Sequence, residues 1–169
     1  MLKLTRVLIA GALASILLFT ATAEAAAPGG GTLSKAKRSV TWNGGPFTTS
    51  YPISSAAPCL NGSSDAMCDH FLLKVNMGQG ARIKVSIVPS ASGLEVLQVV
   101  AGPNDYDLYV FDADGNQVGE SAGSTGRESV TFTHKARLRN RPYEVRVIPF
   151  LLIPGATYKG TAAALTYVK

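Results

Sequence analysis

The chain has 169 residues, of which 46% are hydrophobic and 16% are charged, and its formal net charge is +5 at pH 7. That length leaves room for one sizeable core and excludes a set of several large domains. Abundant Gly, Ser, Thr and β-branched residues are typical of an all-β domain with many turns. The positive excess is modest, and no recognition-helix pattern, RNA-binding aromatic motif or zinc knuckle accompanies it. We therefore expect no nucleic-acid partner.

The first 25 residues have the pattern of a signal peptide. Lys3 and Arg6 form a basic start, residues 7–19 are mostly apolar, and Ala23-Glu24-Ala25 is a small-x-small cleavage sequence. The apolar run is shorter than the roughly 20 residues of a membrane-spanning helix, which disfavours an uncleaved anchor. We expect residues 1–25 to be removed, with no stable membrane insertion afterwards, from a secreted protein that is extracellular or periplasmic. The mature chain would have 144 residues and a formal charge of +4.

The mature chain divides into a lead-in, residues 26–38, and a single domain, residues 39–169. The glycines of Pro28-Gly29-Gly30-Gly31 predict that the lead-in is flexible. A first strand is predicted at residues 39–42, ending at the turn sequence Asn43-Gly44-Gly45-Pro46. The single tryptophan, Trp42, is interpreted as a core anchor, with an exposed ligand-stacking role as the alternative.

The two cysteines, Cys59 and Cys68, predict a disulfide, because an even count in an exported chain is typical of one. The alternative is a metal site that adds Asp69 and His70. Two cysteines nine positions apart with one neighbouring histidine are not a recognised zinc spacing, and thiols oxidise outside the cell. The disulfide is the favoured interpretation.

Alternation of apolar and polar residues predicts most of the strands. Residues 71–77 and 82–88 are interpreted as a hairpin joined at Gly78-Gln79-Gly80. Residues 106–110 and 117–121 are interpreted as a second hairpin, joined by the Asp- and Gly-rich residues 112–116. Further strands are predicted at residues 94–100, 129–133, 143–150 and 157–168. The fold class that follows is an all-β, antiparallel, jelly-roll-like β-sandwich of about seven to nine strands.

Four cations, Lys135, Arg137, Arg139 and Arg141, alternate along residues 134–141 and form the densest positive charge in the chain. On an extended segment they would project to one side and suit a polyanion. A solvated loop between strands is the favoured interpretation.

The aspartates around residue 110 raise the question of calcium. Asp112, Asp114 and Asn116 match the first three ligand positions of an EF-hand loop, but its glycine and its final glutamate are replaced by Gln117 and Gly123. This excludes an EF-hand. A simpler calcium site could draw on four aspartates together with backbone carbonyls, and the alternative is that they serve turns and a solvated face. The four are Asp105, Asp107, Asp112 and Asp114.

Nothing in the sequence predicts catalysis. His70 and His134 are the only histidines, and neither lies in a nucleophile or metal motif. Residues 119–123 have the letters of a Gly-x-Ser-x-Gly elbow, but that motif requires a strand-to-helix turn in an α/β sheet. We therefore predict that the protein is not an enzyme and has no cofactor other than a possible calcium ion.

A binding surface is predicted on the strand at residues 106–110, where Asp107, Tyr109 and Phe111 alternate on the outward face. Aromatic rings beside a carboxylate can stack on a ligand and hydrogen-bond to it. For Phe111, packing under a loop is the alternative.

A family resemblance is carried by Asp69-His70-Phe71 with its strand to residue 75, by Gly80 before Ile83-Lys84-Val85, by the strand at residues 105–110 with its turn at Gly115-Asn116, and by the strands at residues 128–132 and 143–147. With them, residues 69–168 resemble the bacterial pre-peptidase C-terminal domain, a β-sandwich found on secreted peptidases. Here Arg141-Pro142 replaces the glycine usual before the Tyr-rich strand, and the chain carries no peptidase.

The resemblance implies a non-catalytic module for adhesion, secretion or protein contact, and some related collagen-binding modules bind calcium. We accordingly expect a secreted module that binds an extracellular protein or polysaccharide, or that is accessory to a secreted peptidase. The alternative is a small secreted hydrolase or peptidase inhibitor.

Overall fold

The computed structural model describes residues 26–50, 59, 68–90, 104–135, 138 and 140–166. The predicted signal peptide and the strand predicted at residues 94–100 lie outside the described residues. Within the described ranges there are nine strands: β1 Gly30–Ser34, β2 Ser39–Phe47, β3 Asp69–Asn76, β4 Arg82–Pro89, β5 Asp105–Phe111, β6 Gln117–Ser121, β7 Glu128–Thr133, β8 Tyr143–Leu151 and β9 Ala156–Thr166.

The strands form two sheets that pack face to face. One sheet has five strands in the order β1-β3-β8-β5-β6, and the other has four in the order β2-β9-β4-β7. Neighbouring strands are antiparallel except β1 and β3, which are parallel. Alternate side chains of each central strand face the space between the sheets and are buried there. The predicted all-β sandwich is confirmed. In the described ranges, no helix has the length and hydrophobicity of a membrane span.

One predicted hairpin is confirmed and the other is wrong. β5 and β6 pair through an antiparallel register that includes Leu108 opposite Ser121. β3 and β4 belong to different sheets, and the turn at residues 78–80 carries the chain from one sheet to the other. Both strands bury one face, so their alternation is the same whether they pair side by side or pack across the core.

The predicted flexible lead-in contains the strand β1. Its glycines allow close packing, since a Cβ on Gly30 would lie 2.9 Å from the carbonyl oxygen of Leu72. The turn predicted at residues 43–46 is also different, because these residues continue β2 through a bulge between Gly44 and Phe47. Gly45 has a φ of 82°, a conformation that favours glycine. Glycine-rich sequence that predicts a flexible segment at residues 26–38 and a turn at residues 43–46 thus belongs to strands in the structure.

Trp42 is a core anchor, as predicted, with 1% of its surface exposed. Its indole stacks on the ring of Phe71, with 4.0 Å between centroids, and so joins β2 of one sheet to β3 of the other. Gly160 of β9 lies directly against the indole, and a Cβ there would overlap the ring atoms. The tryptophan is therefore held between two sheets with no space beside it.

We predict that Gly160→Ala lowers the free energy of unfolding by about 3 kcal/mol, because the added methyl group must displace the packed indole. Chemical denaturation followed by tryptophan fluorescence measures the change. Gly29→Ala is the matched control, since its Cβ would meet its nearest atom at an ordinary 3.5 Å. Equal stability of the two variants would contradict the packing described for Trp42.

Candidate functional site

The predicted binding residues lie on the outer face, by which we mean the side of the five-stranded sheet that points away from the core. Asp107, Tyr109 and Phe111 are partly exposed there, while Leu108 and Val110 between them are fully buried. Across the sheet, Arg146 of β8 lies opposite Tyr109, and Glu144 lies opposite Phe111. The structure therefore brings the three predicted residues together with two charged residues of the adjacent strand.

A hydrogen-bonded group of three charged or ionisable side chains fixes the middle of the outer face. Glu144 Oε1 lies 2.7 Å from His70 Nδ1, and Glu144 Oε2 accepts a 2.8 Å hydrogen bond from Arg146. The guanidinium carbon of Arg146 lies 4.1 Å above the ring of Phe111. Burial alone would raise the pKa of Glu144, but hydrogen bonds and charge from Arg146 and His70 lower it below its usual value. Glu144 is therefore held as a carboxylate that orients both neighbours.

The predicted disulfide between Cys59 and Cys68 is formed, and it lies on this face. The two cysteines pack with Ile148 in a small buried cluster, and Tyr109 packs against it. This explains why Ile148 interrupts the polar side of β8: its side chain supports the disulfide. One side of Tyr109 is thus fixed by apolar contacts.

An open depression of about 390 Å³ lies at the start of β5, beside the aromatic residues. Asp105 and Asp107 line it together with Phe150 and the residues that follow β6. Asp105 is 9% exposed, and its Oδ1 atom has no hydrogen-bond partner. The carboxylate of Glu128, which accepts a hydrogen bond from Ser121, is close enough to repel both aspartates.

The pKa values in the depression reflect this crowding of negative charge. Burial, with the charges of Asp105 and Glu128 added to it, raises the pKa of Asp107 to about 6. Burial and the charge of Glu128 also raise the pKa of Asp105. Protonation or a bound cation would relieve the repulsion.

The other two aspartates of the predicted calcium set lie at the opposite end of β5. Asp112 Oδ1 accepts hydrogen bonds from the backbone nitrogens of Asp114, at 2.9 Å, and of Asn116, at 3.0 Å. Asp114 forms an exposed ion pair of 2.6 Å with Arg141. These two aspartates serve the turn, and roughly 20 Å of extended strand separates them from Asp105.

The four predicted aspartates therefore do not form one site. Among the described residues, no group of three or more His, Cys, Asp or Glu side chains is arranged to hold a metal ion. A cation in the depression would need backbone carbonyls and water to complete its ligands.

The remaining sequence features lie in structural positions. His134 is fully buried with its Nδ1 3.0 Å from the hydroxyl of Tyr143, and burial lowers its pKa. Ser121, the serine of the Gly-x-Ser-x-Gly letters, lies in a β-hairpin and donates to Glu128. Of the cationic stretch, Arg141 pairs with Asp114, whereas Arg137 and Arg139 lie outside the described residues.

The sequence predicted the outward-facing residues of β5 but not the residues of β3 and β8 that lie beside them. The polar positions of the alternating pattern in β3 and β8 hold His70, Glu144 and Arg146, and the sequence shows these positions. The contact between the three side chains depends on the register between β3 and β8. That register places His70 opposite Arg146, and the register between β8 and β5 places Glu144 opposite Phe111. No local sequence signal specifies such a register.

Comparison of the sequence with protein-family models and with curated proteins finds no match. The similarity to the pre-peptidase C-terminal domain therefore stays an expectation from the sequence motifs.

We predict that Asp107→Asn stabilises the protein at pH 8. A carboxyl group with a folded pKa near 6 and an ordinary value of 3.8 binds its proton more tightly in the folded state, so its contribution to stability falls as pH rises between those values. The whole shift corresponds to about 3 kcal/mol. Because the side chain is partly exposed and screened, we expect about 1 kcal/mol.

The measurement is the free energy of unfolding of both proteins from pH 4 to pH 8. The stabilisation should shrink as the pH falls from 8 to 4, because the folded wild-type carboxyl group becomes protonated below its pKa of about 6. Asp114→Asn is the control, since it removes an exposed carboxylate with a cationic partner and should give no stabilisation at pH 8. A pH-independent difference for Asp107→Asn would refute the crowding described here.

Proposed function

We propose that the protein is a secreted, non-catalytic β-sandwich module that binds an extracellular protein or polysaccharide through the outer face. Two partly exposed aromatic rings, Tyr109 and Phe111, lie two positions apart on β5, and Asp107 lies beside them. Rings of this kind supply flat contact area, and the neighbouring carboxylate supplies hydrogen-bond acceptors. A disulfide is compatible with the oxidising location that secretion implies.

The observation that carries the proposal is that these side chains are already fixed. Arg146 is held by Glu144, with its guanidinium carbon 4.1 Å from the centre of the Phe111 ring, and Tyr109 packs against the disulfide cluster. A surface whose side chains are ordered before binding loses less conformational entropy when the ligand arrives. Tyrosine and arginine are also the residues that most often dominate binding free energy at protein interfaces.

The same surface suits the role that the family resemblance implies. As an accessory to a secreted peptidase, the module would hold a protein substrate against the outer face. A polysaccharide ligand would use the same aromatic rings with fewer charged contacts. The two versions differ in the polymer that the purified module retains.

The binding experiment compares retention of the mature protein on insoluble cellulose, chitin and peptidoglycan with retention on collagen and gelatin. We expect Tyr109→Ala and Asp107→Ala each to weaken binding to the retained polymer about tenfold, because both lie at the centre of the proposed contact. Thr131→Ala, an exposed position on β7 of the other sheet, is the matched control. Thermal unfolding of each variant checks that the fold is intact.

Retention on no polymer of either class would count against a binding module. Retention that both variants leave unchanged would show that the outer face is not the contact surface.

Calcium enters the proposal at Asp105 and Asp107. What supports it is the unpartnered Oδ1 of Asp105 beside a second carboxylate in an open depression. A bound ion stabilises the folded state by mass action, so millimolar calcium should raise the melting temperature of the wild type by about 3 °C or more. Asp105→Asn should remove the increase and Asp114→Asn should retain it. An unchanged wild-type melting temperature would exclude a calcium site of this affinity.

One observation favours the hydrolase alternative. His70 is oriented by Glu144 through Nδ1, and its buried Nε2 has no hydrogen-bond partner, as in a histidine prepared to act as a base. In the described part of the chain, no serine or cysteine is bonded to that nitrogen. Activity against peptide or ester substrates that His70→Gln abolishes would replace the binding proposal, whereas unchanged polymer retention by His70→Gln supports it.

A further inference from the structure

The backbone nitrogen of Ala26 lies inside the protein. Ala26 is 4% exposed, and its nitrogen donates a hydrogen bond to Oδ1 of Asp69, which is 1% exposed. The next residue, Ala27, is fixed by two backbone hydrogen bonds with Asn43, of 2.8 and 3.1 Å. The fold therefore sets where this nitrogen lies, 43 positions from its partner in the sequence.

The carboxylate that receives it has only neutral donors. Oδ2 of Asp69 accepts a 2.5 Å hydrogen bond from the hydroxyl of Tyr158, whose oxygen accepts a 3.1 Å hydrogen bond from the indole nitrogen of Trp42. Within the described ranges, Asp69 has no lysine or arginine partner, and the ring of the adjacent His70 is bonded to Glu144. Burial raises the pKa of Asp69 even though its hydrogen bonds and the charge of His70 act to lower it, as expected for a buried carboxyl group with no ammonium or guanidinium partner.

The space around this group is closed on the side of β2. A Cβ on Gly44 would overlap both Asp69 Oδ2 and the ring of Tyr158. Glycine at position 44 therefore lets the carboxylate and the tyrosine pack directly on the strand. The carboxylate is fixed in place opposite the Ala26 nitrogen.

We propose that the signal peptide is removed after Ala25 and that the new α-ammonium group of Ala26 becomes the buried counter-ion of Asp69. Hydrolysis by a signal peptidase adds one water across the peptide bond between Ala25 and Ala26. Ala25 leaves with a carboxylate, and the nitrogen of Ala26 becomes an amine that is protonated at neutral pH. The hydrogen bond between an amide and a carboxylate becomes an ion pair without movement of either residue.

This inference rests on the predicted signal peptide and not on the binding proposal. In the precursor, the nitrogen of Ala26 is a neutral amide, so Asp69 has no ammonium partner. Removal of residues 1–25 supplies one. Cleavage at a different bond would leave the buried nitrogen as an amide, or would remove it, so only cleavage between Ala25 and Ala26 supplies the buried ammonium group.

The first experiment is to export the full chain from a bacterial host and to determine the N-terminus of the released protein by intact mass and peptide sequencing. We expect Ala26. A mature protein beginning at Glu24 or Ala27 would overturn the proposal.

The second experiment compares the protein beginning at Ala26 with one that carries a single extra glycine before Ala26. The glycine converts the ammonium of Ala26 into an amide, and we expect the melting temperature to fall by about 5 °C or more. In an Asp69→Asn background the same extension should have little effect. Tyr158→Phe retains the carboxylate and should retain the sensitivity to the extension. Equal melting temperatures of the two wild-type forms would overturn the proposal.

A third measurement needs no substitution, and it tests whether the Ala26 ammonium group is buried even if Asp69→Asn does not fold. The α-amine of Ala26 should react with an amine-directed acylating reagent at least about tenfold more slowly in the folded protein than in denaturant, because it is buried. The exposed lysines Lys74 and Lys84 provide the internal control. Equal reactivity of Ala26 in both states would contradict a buried ion pair.

Discussion

The buried carboxylate of Asp69 is the constraint on which the rest of the structure depends. It sits at the start of β3 in the five-stranded sheet and binds the hydroxyl of Tyr158, which belongs to β9 of the four-stranded sheet. Tyr158 in turn accepts a hydrogen bond from Trp42 on β2, and Ala26 donates from the chain before β1. A buried polar group that lacks its partners costs more free energy than the bond itself contributes, so these elements are required to meet in one arrangement.

The outer face has a similar organisation at smaller scale. Glu144 lies between His70 and Arg146, and Arg146 covers Phe111, so a single carboxylate orders side chains from three adjacent strands. The disulfide orders the neighbouring Tyr109 through apolar contacts. The hydrogen bonds of Asp69, Tyr158 and Trp42 in the core hold the strands in place. The register of the five-stranded sheet then determines which side chains meet on the outer face. A binding function at this face would depend on both.

The sequence predicted individual strands well and their partners poorly, for physical reasons. Alternation identifies β4, β5 and β8 because every second side chain faces the core, but it is the same for a hairpin and for two strands that pack across the core. Glycines that permit close packing, such as Gly30 and Gly44, look like those of a flexible segment or a turn, because all these uses need a residue without a side chain. Asp69 continues the inward-facing alternation of Phe71, Leu73 and Val75, so the pattern alone places it in the core. Its charge argues against burial, because an ionised carboxylate is costly to remove from water. Its partners, 43 and 89 positions away, were not predictable from local pattern.

The role of Asp69 is tested most directly by a double-mutant cycle on Asp69→Ala and Tyr158→Phe, with the free energy of unfolding measured by chemical denaturation at neutral pH. If the carboxylate and the hydroxyl hold the two sheets in register, the two substitutions will be coupled by about 1.5 kcal/mol or more, because each alone leaves the other group without its partner in the core. Additive effects would show that the sheets are held by apolar packing alone and would contradict the central role given to Asp69.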